Sequence, residues 1–232
     1  MCGHATVAGI QALLEVGRIR HDDPASSTML RIETKSGVLN GFVESVPNRG
    51  DAPMIWLDLP DPVLTLMPLD LAELAGVFNA GSGIWDVELP PTRTQDDDVM
   101  AFVRDFGVLN SLRPNFTALG ELMNGRKLRG LCVSTVRTVT PSVAVQSRFF
   151  APGVGINEDP VTGSVHGPLA AYLTNRGLVA LHDGLAVLMC VQGIPGGRTG
   201  LLHALVQPQD SGRFGVRIGG RAVTVMSGTL RA

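Results

Sequence analysis

The stretch Gly155-Ile156-Asn157-Glu158-Asp159-Pro160-Val161-Thr162-Gly163-Ser164-Val165-His166-Gly167-Pro168 decides how this chain is read. Two adjacent carboxylates and a proline form the approach, and small hydroxyl residues come directly after them. Leu169, Tyr172 and Leu173 then recur at helical spacing, and Gly177 supplies the residue expected just past a helix end. A helix therefore runs from Gly163 to Gly177. Its start has two readings. Unpaired N–H groups and a partial positive charge suit a carboxylate or a developing oxyanion. Equally, Asp-Pro is a common turn, and Thr or Ser is a preferred N-cap.

The same pattern recurs 160 residues earlier. Cys2-Gly3-His4 falls on Thr162-Gly163-Ser164, Leu13 on Leu173, and Gly17 on Gly177. A second helix, Gly3 to Gly17, carries Val7, Ile10, Leu13 and Leu14. The offset reads as an internal repeat, dividing the chain into halves at 1–80 and 81–232. The helix from Gly163 has strands on both sides in sequence. The one from Gly3 is preceded only by Met1 and Cys2, so by symmetry the first half is expected to be short by about 70 residues.

Outward from the helices, 28 glycines punctuate short β-branched runs, against a usual share of about 7%. Strands are expected at Met29–Thr34, Val38–Val43, Met54–Leu59, Gly83–Leu89, Leu131–Thr138, Val143–Ala151, Leu185–Val191, Leu201–Val206, Phe214–Ile218 and Ala222–Met226. The last two are read as a hairpin across Gly219-Gly220. Leu69–Ala75 and Asp98–Phe106 are expected to be surface helices. The reading is α+β.

Composition narrows the function. The formal charge is −2, no basic run occurs, and there are only two Trp and one Tyr, which disfavours a nucleic-acid or anionic-membrane surface. Cys2, Cys132 and Cys190 are an odd number, far apart and without a CxxC pair. A reducing cytoplasm is the expected compartment. No run of 18 apolar residues and no basic leader is present.

Among chemical candidates, a cysteine at a helix start has a lowered pKa, and His4 can shuttle a proton near neutral pH. Cys2 is otherwise a small buried hydrophobe and His4 a loop imidazole. A metal site from Cys2, His4 and His166 would need ligands from distant segments with no supporting cluster, and is set aside.

Together, Cys2-Gly3-His4-Ala5-Thr6 and Glu158-Asp159-Pro160-Val161-Thr162-Gly163-Ser164 resemble the signatures of the PhzF-like phenazine-biosynthesis isomerases, within the diaminopimelate epimerase-like fold. Val191-Gln192-Gly193, Gly197-Arg198 and the closing strands through Gly219-Gly220 to Gly228 also look like that family. The resemblance implies two similar halves, each a barrel-like sheet around one helix, with both helix N-termini facing a shared cleft. It implies cofactor-independent proton transfer on a small carboxylic acid. Racemases of this fold use a cysteine from each half, but Thr162 stands at the second position here. The catalytic set implied is His4, Asp159 and Ser164, with Gly3, Thr162 and Gly163 binding substrate, no metal and no cofactor.

One implied residue is missing. The family's general base is a glutamate upstream of Cys-Gly-His, whereas Glu15, Glu33 and Glu44 all lie after it. Removing a general base costs about 10²–10⁴ in rate. Two readings result: an isomerase or epimerase of this family whose base comes from elsewhere or from a longer polypeptide, and a non-catalytic ligand-binding or assembly protein. An uncovered first helix would leave Val7, Ile10 and Leu14 exposed and favour a homodimer.

Overall fold

A computed structural model describes residues 3–21, 26–34, 37–45, 52–193 and 197–229, so Cys2 lies outside the described residues. The chain opens with α1 (Gly3–Glu15), β1 (Ser27–Thr34), β2 (Gly37–Glu44), β3 (Met54–Leu59), β4 (Leu64–Leu66) and α2 (Leu71–Gly76). It continues through β5 (Thr92–Thr94), β6 (Asp98–Phe102), α3 (Phe106–Ser111), α4 (Phe116–Gly125), β7 (Gly130–Thr135), β8 (Val145–Ala151) and β9 (Ile156–Asp159). Last come α5 (Gly163–Asn175), β10 (Ala186–Gln192), β11 (Gly200–Pro208) and β12 (Phe214–Gly220).

The repeat is visible in the backbone. α1 and α5 start and stop at positions 160 apart. Both end in the same motif: Gly17 and Gly177 each have φ +69°, with N–H groups bonded to Leu14 and Thr174. The next N–H groups, of Arg18 and Leu178, reach back to Leu13 and Leu173. Glycine is favoured there because a Cβ crowds the left-handed conformation. Gly177→Ala meets no atom within 4 Å, so its expected loss of about 1–2 kcal/mol is pure backbone strain, measurable as a shift in the urea midpoint.

Each helix is followed by a three-stranded antiparallel meander, β1-β2-β3 or β10-β11-β12. The meanders join through an antiparallel seam between β3 and β12. That seam is its own image under the repeat. Moving each partner by 160 converts Trp56↔Gly219 into Leu59↔Val216, and Leu57↔Ile218 into Asp58↔Arg217. A pseudo-twofold axis therefore passes between these two strands. The ion pair Arg217–Asp58, Nε to Oδ1 2.7 Å, lies beside it.

Beyond the meanders the halves differ. β10 pairs in parallel with β8, and the sheet continues through β7, β6, β5 and β4, with β9 on β8. Among the described residues β1 is an outer edge. Accordingly α5 is buried from Val165 to Thr174, whereas α1 buries only Ile10 and Gln11. Ile10 packs with Val43, Ile55, Leu57 and Ile218, so it is not exposed as expected, and Val7 and Leu14 are half-buried. The solvent face is instead Ala5, Ala8, Ala12, Leu13 and Val16. β4 and α2 lean on the second half: Leu74, Val77 and Phe78 share a core with Val99, Leu131 and Phe150.

The structure corrects the sequence reading at several elements. Asp98–Phe106 is not a surface helix; β6 occupies its first part, every residue buried between β5 and β7. The run Val99-Met100-Ala101-Phe102-Val103 is apolar on both faces, as a strand covered on both sides requires. Gly83–Leu89 forms a 3₁₀ turn and a loop, with only Trp85 bridged to Val103. The Trp85 indole is buried and donates to the Leu71 carbonyl at 2.8 Å, which fixes the loop instead of a ladder. No hairpin forms at Gly219-Gly220: β12 runs through both, because the Trp56 ring occupies the space above Gly219. Ala222–Met226 consequently has no ladder partner among the described residues, and Val223, Val225 and Met226 are exposed. Strands β4, β5 and β9 and helices α3 and α4 are additions to the elements expected from the sequence.

Candidate active site at the paired helix starts

The first turns of α1 and α5 converge on one side chain. A Cβ built on Gly3 would lie 3.6 Å from Ile218 Cδ1, and one on Gly163 only 2.6 Å from the same atom. Both glycines, with His4, line a cleft of about 370 Å³ whose other walls include Val7, Pro160, Val161, Leu201, Leu202 and Ile218. Gly200 admits Val161 there, since a Cβ would come within 1.9 Å of its Cγ2. Among the described residues the walls are apolar apart from His4, Arg198 and Arg221, and no Asp or Glu lines the cleft.

The capping reading of α5 does not hold in the structure. Asp70, Asp105 and Asn115 each accept a first-turn N–H of α2, α3 or α4. Thr162, at the corresponding position of α5, makes no side-chain cap bond. Its hydroxyl donates instead to Asp159 Oδ2 at 2.6 Å, and its own N–H donates to Gln192 Oε1 at 2.8 Å. The first-turn N–H groups of α5 are thus left without a capping side chain, and a helix start in that condition attracts anions.

Gln192 holds this arrangement together from the end of β10. Fully buried, it donates to Thr162 Oγ1 at 3.1 Å and to the Asp159 carbonyl. The following Gly193 has φ +104°, and a Cβ would meet the Arg198 carbonyl at 2.3 Å, so glycine brings the chain back to the cleft. Ser164 is half-buried and accepts from Arg129 Nη2 at 2.9 Å. Arg129 also grips the fully buried Asp98 with two N–H groups, Nε to Oδ1 at 2.8 Å.

The expected residues therefore fall into two groups. Gly3, His4 and Gly163 line the cleft. Asp159, Thr162 and Ser164 form a polar cluster around the start of α5, with Gln192 and Arg129 as partners. Glu15 bonds to Gln11 and Thr224, Glu44 accepts from the Trp56 indole, and Glu33 is exposed on β1; none of these three glutamates lines the cleft. Arg148 is a single cation within β8, and Arg129 ends the stretch Arg126-Lys127-Leu128-Arg129 just before β7, so neither carries a sequence signal for its partner. Glu158 belongs to a different job from its neighbour Asp159: it forms a two-point ion pair with buried Arg148, both contacts 2.8 Å.

Three groups nearby are inert. Burial pushes the Cys132 and Cys190 thiols up to about 12, so neither is a thiolate near neutral pH. His166 is fully buried with both ring nitrogens engaged, Nδ1 2.8 Å from the Thr162 carbonyl and Nε2 2.9 Å from Ser147 Oγ. A carbonyl only accepts, so Nδ1 carries the proton and Ser147 donates to Nε2. Burial holds this imidazole below its ordinary value and neutral. An unfolded histidine titrates near about 6.5. Below that pH the unfolded chain binds a proton the native ring refuses. Stability is expected to fall as pH drops below about 6.5, by up to about 1.4 kcal/mol per unit. His203, depressed by burial and then by Arg221, adds in the same direction. Urea midpoints at several pH values should show a shallower slope in His166→Gln; an unchanged slope would refute the assignment.

Comparisons with known proteins bear on the family and the fold. A family model described as "Phenazine biosynthesis-like protein" (PhzC-PhzF) matches residues 1–228. An uncharacterized isomerase of Pseudomonas aeruginosa is 35% identical over 230 residues, covering 99% of this chain and 73% of that protein. Mouse phenazine biosynthesis-like domain-containing protein 1 is 32% identical over 241 residues, covering 100% and 73%. The crystal structure of a PhzF-family phenazine biosynthesis protein from Bacillus anthracis superposes with TM-score 0.81 at 24% identity, over 95% of this chain and 73% of that one. A probable proline racemase from Agrobacterium radiobacter shares the fold, with TM-score 0.58 at 15% identity over 95% and 67%. The architecture is the diaminopimelate epimerase-like α+β fold expected from the sequence. With the match spanning nearly every residue and both helix-start motifs inside it, the chain belongs to the PhzF-like phenazine biosynthesis family.

Proposed function

We propose that this chain isomerises or epimerises a small carboxylic acid without a cofactor, by removing a proton from carbon and returning one in the cleft between residues 1–80 and 81–232. One observation carries the proposal: two helix starts, Gly3-His4 and Gly163, open onto the same 370 Å³ space. Substrate carboxylate sits at the first-turn N–H groups of α1 and α5, from Gly3 and Gly163 onward, where the helix ends supply partial positive charge, and Thr162, its own N–H held by Gln192, shapes the approach. His4, which lines the cleft, exchanges a proton with the substrate. Asp159 serves as the carboxyl partner, and Ser164, oriented by Arg129, donates to developing negative charge. The test is solvent-deuterium incorporation at carbon, followed by NMR across a panel of hydroxy and amino acids. Exchange that His4→Ala abolishes supports the proposal; no exchange with any bound acid counts against it.

A second reading is favoured by the lack of Asp and Glu among the described residues lining the cleft: a protein that binds the acid without turning it over. Binding without exchange would establish it. Either reading includes a homodimer, because Ala5, Ala8, Ala12, Leu13 and Val16 form an apolar stripe facing solvent, with Val16 69% exposed. Sedimentation is expected to give a dimer at micromolar concentration and a monomer for the Leu13→Glu/Val16→Glu variant.

A further inference from the structure

Gln192 ends β10, fully buried beside the approach to α5, and its amide can sit only one way round. Oε1 faces the Thr162 N–H at 2.8 Å, a group that only donates, and Nε2 faces the Asp159 carbonyl, a group that only accepts. Turning the amide over would set N–H against N–H and carbonyl against carbonyl. Two backbone groups of opposite polarity therefore fix it.

That orientation directs the proton of a neighbouring hydroxyl. Nε2 also lies 3.1 Å from Thr162 Oγ1, and an amide nitrogen donates, so Oγ1 accepts there. The one hydroxyl proton of Thr162, itself buried, goes to Asp159 Oδ2 at 2.6 Å. Oδ1 of the same carboxylate accepts no hydrogen bond among the described residues. The two oxygens are thus unequal. A proton on Oδ2 would face the Thr162 proton and leave a buried donor without an acceptor, whereas a proton on Oδ1 leaves the run from Gln192 through Thr162 to Asp159 intact.

We infer that Gln192 is a positioning residue: through the Thr162 hydroxyl it holds Asp159 Oδ2 as a standing acceptor and leaves Oδ1 as the oxygen on which Asp159 carries a proton. When Asp159 takes a proton, an O–H bond forms at Oδ1, the electron pair of the broken bond stays on the atom that gave the proton up, and the carboxylate becomes neutral. Giving the proton back reverses each change. The catalytic part rests on the reading of Asp159 as an acid–base group.

Two measurements on the full chain test it, and the first needs no substrate. A buried hydroxyl held by a hydrogen bond is protected from exchange with water, so proton NMR is expected to show a Thr162 hydroxyl signal, identified by its loss in Thr162→Val. It should persist in Asp159→Asn, which keeps an acceptor, and vanish in Asp159→Ala. Absence of the signal from the unaltered chain, or its survival in Asp159→Ala, overturns the inference. The second is solvent-deuterium incorporation into lactate, malate, alanine and proline. For whichever of these the unaltered chain exchanges, Thr162→Ser keeps the donor and is expected to stay within about twofold, while Thr162→Val keeps the shape, loses the donor and slows kcat by about tenfold to a hundredfold, the size of a hydrogen bond to a charged group. Gln192→Glu, which removes the Nε2 donor, is expected to slow exchange as much, and combined with Thr162→Val to slow it no further, because both act on one bond. A merely structural role gives the opposite order, the valine variant near the unaltered rate and the serine variant impaired, and that result overturns the inference. If the unaltered chain exchanges none of these acids, the result counts against the isomerase reading, and the hydroxyl signal alone decides the inference.

Discussion

Glu158→Ala is expected to lower stability by about 3–5 kcal/mol, a large share of the roughly 5–15 kcal/mol typical of a folded chain. The cost arises at Arg148, whose side chain is 4% exposed. Its guanidinium donates to both carboxylate oxygens of Glu158, to the Leu109 and Leu112 carbonyls at the end of α3, and lies 5.0 Å over the Phe150 ring. Without Glu158 a cation stays buried with only carbonyl partners, and an uncompensated buried charge is what makes such losses large. Urea unfolding measures it, with the midpoint falling at constant slope. The double variant Glu158→Leu/Arg148→Met should recover most of the loss, because apolar replacement of a whole buried pair is often neutral. A loss under about 1 kcal/mol would mean that the Arg148 charge is solvated in a way this geometry does not provide.

Asp159→Asn, one residue later, is expected to do the reverse: turnover falls by about 10²–10⁴ while the melting temperature barely moves. An asparagine keeps an oxygen where Asp159 Oδ2 accepts from Thr162, so the local hydrogen bond survives. Only the capacity to take and return a proton is lost. The readout is deuterium exchange into whichever acid the wild-type chain turns over, alongside thermal unfolding. If stability collapses instead, the carboxylate is needed to hold the approach to α5. If exchange is unaffected, the proton work belongs to another group. Adjacent positions in a single motif thus separate into one that holds the fold and one expected to carry the chemistry.

Much of the fold is legible in the primary structure. The two long helices, their glycine stops and their 160-residue offset are readable because helix periodicity and C-terminal glycine are local signals. The meander strands are readable for the same reason. β6 is ambiguous in sequence because its apolar run is equally consistent with a buried helix segment, and only pairing on both sides by β5 and β7 decides it. Helix α4 does carry a local signal, the Asn115 cap with Leu119, Leu122 and Met123 at helical spacing behind it.

What the sequence by itself determined is the family, the repeat and the two helix starts, since each is written in contiguous residues whose types and spacing suffice. Tertiary structure alone decided that those starts meet at Ile218, that Thr162 turns away from its capping role toward Asp159, and that Glu158 and Asp159 have different partners. It also decided which arginines matter. Arg129 and Arg148 show no partner in their local sequence, and a charge acquires its meaning from its neighbours in space and the water removed around it, neither of which local order encodes.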